Sequence, residues 1–308
     1  MKPIAIITGA GASMPYGFPS GAELRDAILR YWRPPQLMNH MPSLGGNPLH
    51  KYSNGQAELL QHPGFDGFRQ QLQRQELASV DRFLEQPRNK QYVEVGLVAT
   101  AMAIGACHHT SHHLMQLPSS RWNSHWYRGF VDLLDNGQRL DECRIKIITF
   151  NYDVSLETYL CQVLSSRWDM RFEDVWGQLE SSLGFLHVYG DVSSPWADED
   201  AVAYEKDPQA WADTAAKRLK IVAQGRDDDH TFQRAQEWLT EAEAVFFYGF
   251  GYDETNMRRL GVLTTTPCLE GKTVMGTCKG VPSPHDHIQK LSHAADTFWS
   301  AVLEQCQG

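Results

Sequence analysis

The stretch MKPIAIITGAGAS, residues 1–13, decides how the chain is read. A β-branched apolar run from Lys2 to Thr8 leads straight into Gly9-Ala10-Gly11-Ala12-Ser13. The segment AELRDAILRYW (Ala22 to Trp32) then puts Leu24, Ile28 and Trp32 on one helical face at i, i+4 and i+8. Strand, glycine turn and helix make the opening unit of a parallel α/β sheet. The apolar run is too short, and turns too soon, for a signal peptide.

Working outward, the pattern recurs. CRIKIITFNYD (143–153), FLHVYGD (185–191) and EAVFFYGFGYDETN (243–256) are apolar strands that run into polar or glycine residues, and KTVMGTC (272–278) is a fifth strand. Helices are expected near 65–77, over SVDRFLE (79–85), near 89–116, near 124–135 and over about 154–165. Those before the second strand form a helical insertion, about residues 55–140. The expected architecture is α/β: a Rossmann-like, doubly wound parallel sheet in one domain over 1–308, a length ample for a buried core. Pro34 to Asn54 has no period and reads as a long surface loop, with a lid as the alternative. Residues 280–308 read as a closing helix or two, with SPHDHIQ as a helix start.

Composition narrows the function. Lys and Arg number 28 against 37 Asp and Glu, a net −9 with no long basic run, which excludes a general nucleic-acid coat. Six cysteines without a C-x-x-C pair give neither a zinc ribbon nor a disulfide scaffold, and fit a reducing cytoplasm. The longest apolar stretch, Val93 to Cys107, contains Glu94 and is shorter than the ~20 residues of a membrane span. It reads as a buried helix.

Four strands end in TGAGAS, TFNYD, LHVYGD and YGFGYDETN, and in an open parallel sheet ligands bind at that edge. The Gly9–Ser13 loop lets backbone approach a diphosphate, or is a tight turn with no ligand. The dinucleotide fingerprint of dehydrogenases is incomplete: Met14 stands where glycine is needed, and Arg-Tyr-Trp-Arg at 30–33 replaces the acidic strand end. No Gly-Lys-Ser/Thr follows, so the Walker pattern fails too. Asn151 is placed to bond ribose hydroxyls or hold a water, and Asp153 lies beside it; both also suit a helix N-cap. His187 suits a general base, or is a core histidine with satisfied nitrogens. His108-His109-Thr110-Ser111-His112-His113 has metal-compatible i, i+4 pairs but no H-E-x-x-H and no third ligand, and reads as an exposed helix end. No metal is expected.

Taken in order, TGAGAS, TFNYD, HVYGD and GFGYDETN resemble the sirtuin superfamily, with its GAG-S loop, T-Q-N-x-D strand end, histidine closely followed by glycine and later G-S/T turn. Pro15, Gly17, Pro19-Ser20-Gly21, SVDRFLE and Leu156-Glu157 after TFNYD are more similar to bacterial sirtuin-like antiphage effectors than to protein deacylases. No cysteine lies between His187 and Tyr248, so the deacylases' zinc module is missing, as is their Pro-Asp-Phe-Arg segment. Val188 and Tyr189 also separate His187 from Gly190, which the deacylases place side by side.

The resemblance implies an NAD⁺ glycohydrolase that releases nicotinamide and ADP-ribose, with NAD⁺ as substrate and no separate cofactor. Gly9, Ala10, Gly11 and Ser13 would cradle the diphosphate, and Gly249, Gly251, Asp253 and Asn256 would lie against the adenosine half. Asn151 would orient ribose hydroxyls and the attacking water, Asp153 would fix the carboxamide, and His187 would act as base. Asp81 would support the site, or else is a helix-start carboxylate. The resemblance further implies a cytoplasmic defence effector that depletes NAD when activated. It would be a homo-oligomer, in some systems worked by a separately encoded ATPase or sensor, with no direct nucleic acid and no membrane. A non-catalytic NAD or ADP-ribose sensor and an ADP-ribosyl transferase or cyclase are the competing readings.

Overall fold

Five residues, Ile4–Thr8, form β1, buried on both faces. Beside it lie β2 (Ile145–Thr149) and β4 (Ala244–Tyr248), both parallel to it. Their near-continuous apolar runs, IKIIT and AVFFY, are what a parallel sheet covered on both sides requires. Outside β2 runs β3 (Phe185–His187); outside β4 run β5 (Thr273–Thr277) and β6 (Gln289–Leu291). The result is a six-stranded, all-parallel sheet of order β3-β2-β1-β4-β5-β6, an α/β Rossmann-like fold. The computed structural model describes residues 2–31, 62–77, 79–110, 125–135, 144–194, 206–221, 230–263, 268–278, 280 and 285–307.

Between β1 and β2 come α1 (Ala10–Ser13), α2 (Gly21–Tyr31), α3 (Phe65–Arg74), α4 (Val80–Leu84), α5 (Val93–Thr110) and α6 (Tyr127–Asp135). After β2 follow α7 (Ser155–Trp168) and α8 (Phe172–Ser182). Between β3 and β4 lie α9 (Pro208–Ala215) and α10 (His230–Glu241). β4 is followed by α11 (Glu254–Arg259), and α12 (Ala295–Gln307) closes the described chain. α5 is apolar around its whole circumference and its middle is buried, the behaviour of an interior helix. Among the described residues no helix is long and apolar enough to cross a membrane.

Leu24 and Ile28 are buried as their spacing requires. Trp32, the Pro34 to Asn54 stretch, His112 and His113 lie outside the described residues. One sequence expectation is sharpened and two are corrected. The segment 185–191 is a strand ending in a turn, as read, but the strand stops already at His187, because Gly190, at φ +76°, turns back and its N–H donates to the His187 carbonyl (3.2 Å). SPHDHIQ does not start a helix: Ile288 N–H donates to the His285 carbonyl (2.8 Å) in a turn, and β6 follows. His108 is not at an exposed helix end. Its Nε2 accepts from the Val154 amide (3.3 Å) and its ring meets Phe18 edge-on.

Register fixes what the sheet presents. Thr8 pairs with both Thr149 and Tyr248, and Thr149 pairs with His187. These four residues stand in one row, spaced by the ~4.8 Å between strands. The loops after β1, β2, β3 and β4 therefore leave the sheet at one level.

Candidate functional site

The glycines after β1 and β4 are demanded by each other. Gly249 has φ +61°, and a Cβ there would lie 2.1 Å from the Ala12 nitrogen; a Cβ on Gly11 would lie 2.8 Å from the Gly249 carbonyl. The Gly11 N–H donates to that carbonyl (2.9 Å), the Gly9 N–H to Tyr248 (3.3 Å) and the Ala12 N–H to Gly9 (2.8 Å). Two amides of the expected diphosphate cradle, those of Gly9 and Gly11, and that of Ala12 beside them are thus already used within the protein, and α1 is a single turn with little dipole to offer. Here the tight-turn reading has a physical basis. Gly251 differs: nothing lies within 4 Å of a Cβ placed there.

Ser13, at the end of α1, is the hub of a buried polar cluster. Its Oγ donates to Asp153 Oδ1 (3.1 Å) and accepts from Asn151 Nδ2 (2.8 Å). Asp153 Oδ1 also takes the Ser155 amide (3.2 Å) and the Ser155 hydroxyl, and Ser155 bonds Tyr127 OH (2.6 Å). Asp153 therefore supports the start of α7, as its capping alternative expects, while Asn151 caps nothing and points its amide at Ser13. Burial pushes the Asp153 carboxyl above the ordinary carboxylate range, against the bonds from Ser155 and Ser13 that favour its charge. Asn151 is 9% exposed, and its Oδ1 is a buried acceptor with no partner. A void of about 20 Å³, lined by Ser13, Asn151, Asp153 and Glu157 among others, adjoins the cluster. It has room for one water and not for a sugar ring.

α6 braces this cluster from the side. Trp126 Nε1 donates to the Ala12 carbonyl (2.8 Å), and Tyr127 stacks on Tyr16 with centroids 3.7 Å apart. Phe250 covers Gly9 and meets Phe150 edge-on (5.0 Å).

His187 stands in the row next to Thr149 with both ring nitrogens engaged. Nδ1–H donates to the Asn151 main-chain carbonyl (2.9 Å) and Nε2–H to Glu157 Oε1 (2.7 Å). Burial disfavours charge on the ring, but the Glu157 carboxylate, helped by Asp191 and the Asn151 carbonyl, outweighs it and pushes the pKa up to about 9. Both nitrogens are satisfied within the protein, as the core-histidine alternative expects, and a ring that donates at both has no lone pair to offer as a base. Glu157 entered the sequence reading only as part of the resemblance and was given no role at the site. Its signal was an acidic residue on the first turn of α7 where every neighbour from Ser155 to Cys161 is buried.

A second cluster joins Asp81, Asp253 and Asn256. Tyr152, between Asn151 and Asp153, sends its hydroxyl to Asp81 Oδ1 (2.6 Å) on α4. Asp81 is raised by burial, and the Tyr152 bond opposes that. Asp253 N-caps α11 through the Thr255 (3.0 Å) and Asn256 (3.3 Å) amides and pairs with Arg82. Asn256 Oδ1 accepts from Tyr189 OH. Asp81 is thus no mere helix-start carboxylate; it ties the insertion to the loop after β2. Arg82, Tyr152 and Tyr189 were not singled out from sequence.

The strand order, with a reversal between β1 and β4, and polar clusters at the carboxyl edge define the class: a doubly wound α/β protein with its candidate site at the topological switch. No protein-family model matches the chain, and no curated protein is significantly similar to it. Among the described residues no group of three or more His, Cys, Asp or Glu is placed to hold a metal ion.

Proposed function

We propose that the chain binds NAD⁺ at the carboxyl edge of its sheet and hydrolyses the nicotinamide–ribose bond, giving nicotinamide and ADP-ribose. The observation that carries this reading is the convergence of Ser13, Asn151 and Asp153 from two strand ends into one buried cluster whose Asn151 Oδ1 has no partner. An orphaned buried acceptor costs about 1–3 kcal/mol, and such a cost is kept where a ligand or water uses the group. The bond to be cleaved has a cationic leaving group and an oxocarbenium-like transition state. Positioning and charge stabilisation therefore do most of the work.

In this reading Asn151 orients the ribose and the attacking water, and the Asp153 carboxyl meets the carboxamide. The loops at Gly9–Ser13 and Gly249–Asn256 flank the dinucleotide. His187 serves as a fixed hydrogen-bond donor. A ring too large for the existing void requires the cluster to open, which fits an enzyme held inactive until triggered. The wider proposal is a cytoplasmic defence effector that depletes NAD and works as a homo-oligomer, set off by a separately encoded partner. It rests on the sequence resemblance alone.

One observation favours a second reading, an NAD or ADP-ribose sensor without turnover: the ring of His187 is locked at both nitrogens. Incubating the purified chain with NAD⁺, with and without candidate activators, and following nicotinamide by chromatography separates the two. Binding without release under every condition supports the sensor. Product masses distinguish hydrolysis from transfer or cyclisation.

A further inference from the structure

A continuous hydrogen-bonded chain crosses the ends of three strands. It runs from Glu157 on α7 to the His187 ring at the end of β3 and on to the Asn151 carbonyl after β2. From there the Asn151 amide reaches Ser13 after β1, the links measuring 2.7, 2.9 and 2.8 Å. The Glu157 side chain is 4% exposed and that of His187 10%, so water does not substitute for either partner. A buried carboxylate needs a partner, and the one that the structure gives Glu157 is the ring that anchors Asn151. The other charged groups facing the pair are Asp191, beyond β3, and Asp153, on the loop between β2 and α7.

We infer that Glu157 is a positioning residue of the site: by fixing the His187 ring at one edge, it makes the opposite edge hold the Asn151 main chain and so sets where the Asn151 amide stands. Without the Glu157 bond the ring is held by Nδ1 alone and can swing about its Cβ–Cγ bond, which loosens the side-chain tie to the Asn151 carbonyl while the main-chain bonds from Val188 to Thr149 and from Val192 to Tyr152 remain. The inference rests on the reading that Asn151 serves the reaction. It adds a residue on α7 that touches no reacting atom and acts through two others.

Glu157→Ala, Glu157→Gln and Glu157→Asp in the full chain test it. Gln keeps a hydrogen-bonding group against Nε2 while the neutral ring still donates Nδ1–H to Asn151, whereas Asp keeps the charge but withdraws it by one methylene. Glu157→Ala should lose the Asn151–Ser13 contact in a crystal structure. It should lower kcat for nicotinamide release about 10²-fold, the scale of an ångström's misplacement, with KM for NAD⁺ changed less than about threefold. Glu157→Gln should keep the contact and stay within about threefold of the parent kcat at pH 8. If Glu157→Ala does not fold, Glu157→Asp should show the same kcat loss and displaced amide in milder form. A crystal structure of Glu157→Ala or Glu157→Asp with His187 and Asn151 unmoved overturns the inference, as does a folded variant of either kind with parent kcat. Failure of the parent chain to release nicotinamide under any condition overturns the hydrolase reading instead, and the crystallographic comparison still decides the role of Glu157.

Discussion

Replacing Glu157 by Gln should make the stability advantage of the parent chain fade with rising pH, by an amount fixed by the His187 pair. The folded ring has a pKa of about 9 against an ordinary 6.5. A group whose folded pKa is raised contributes stability that is complete below the unfolded value and is lost as pH climbs through the folded one. Worked through the linkage relation, the contribution is on the order of 3 kcal/mol at pH 7, about 1 at pH 8 and less than about 1 at pH 9. In Glu157→Gln the partner charge is gone and burial alone keeps the ring neutral, so this slope should vanish from the variant. Urea unfolding of both proteins at pH 7, 8, 9 and 10, with the midpoint and slope fitted at each, measures the difference. A pH-independent offset from altered packing is expected and does not matter. A difference between the proteins that stays flat from pH 7 to 10 would refute the imidazolium assignment, as would ¹⁵N shifts of a neutral His187 ring at pH 7 in the parent.

Three further outcomes follow from the geometry. Gly249→Ala combines a left-handed backbone with a Cβ 2.1 Å from the Ala12 nitrogen, so it should cost about 3 kcal/mol or more by urea unfolding, whereas Gly251→Ala should stay within about 0.5. Asn151→Ala gives up one hydrogen bond to Ser13 but also removes an orphaned acceptor. Its melting free energy should move by no more than about 1 kcal/mol while nicotinamide release is abolished. Asp253→Ala loses the cap of α11 and should cost about 1 kcal/mol, while Asp253→Asn keeps the cap, gives up only the half-exposed pair with Arg82, and should cost less.

The central strands were legible because burial on both faces leaves a long apolar run. β1, β2, β4 and β5 all fall inside the segments expected for them. β6 was not, since Gln289-Lys290-Leu291 is a short, largely exposed edge with no apolar pattern to read. Nor was the point in 185–191 at which β3 gives way to its turn, because Val188 and Tyr189 look like strand residues, although the left-handed Gly190 ends it there. α8, α9 and α10 went unassigned, lying in stretches with no motif to mark them. At the site, Ser13, Asn151 and Asp153 were found from residue type and place at a strand end. The role of His187 was not legible: it is set by Glu157, thirty positions earlier and on another element. A sequence shows that a histidine is present, while the state of its protons belongs to its neighbours.

Tyr152 occupies the single position between the amide at 151 and the carboxyl at 153, and its phenol is moored to α4 of the insertion. Whatever seizes the insertion from outside therefore has a handle on the two side chains flanking that tyrosine. Because the mooring is an oxygen-to-oxygen bond of 2.6 Å, a shift of α4 by about 1 Å away from the ring is enough to cut it. Tyr152 shares that work with Trp126 and Tyr127, which hold Ala12 and Ser155 from the other end of the insertion.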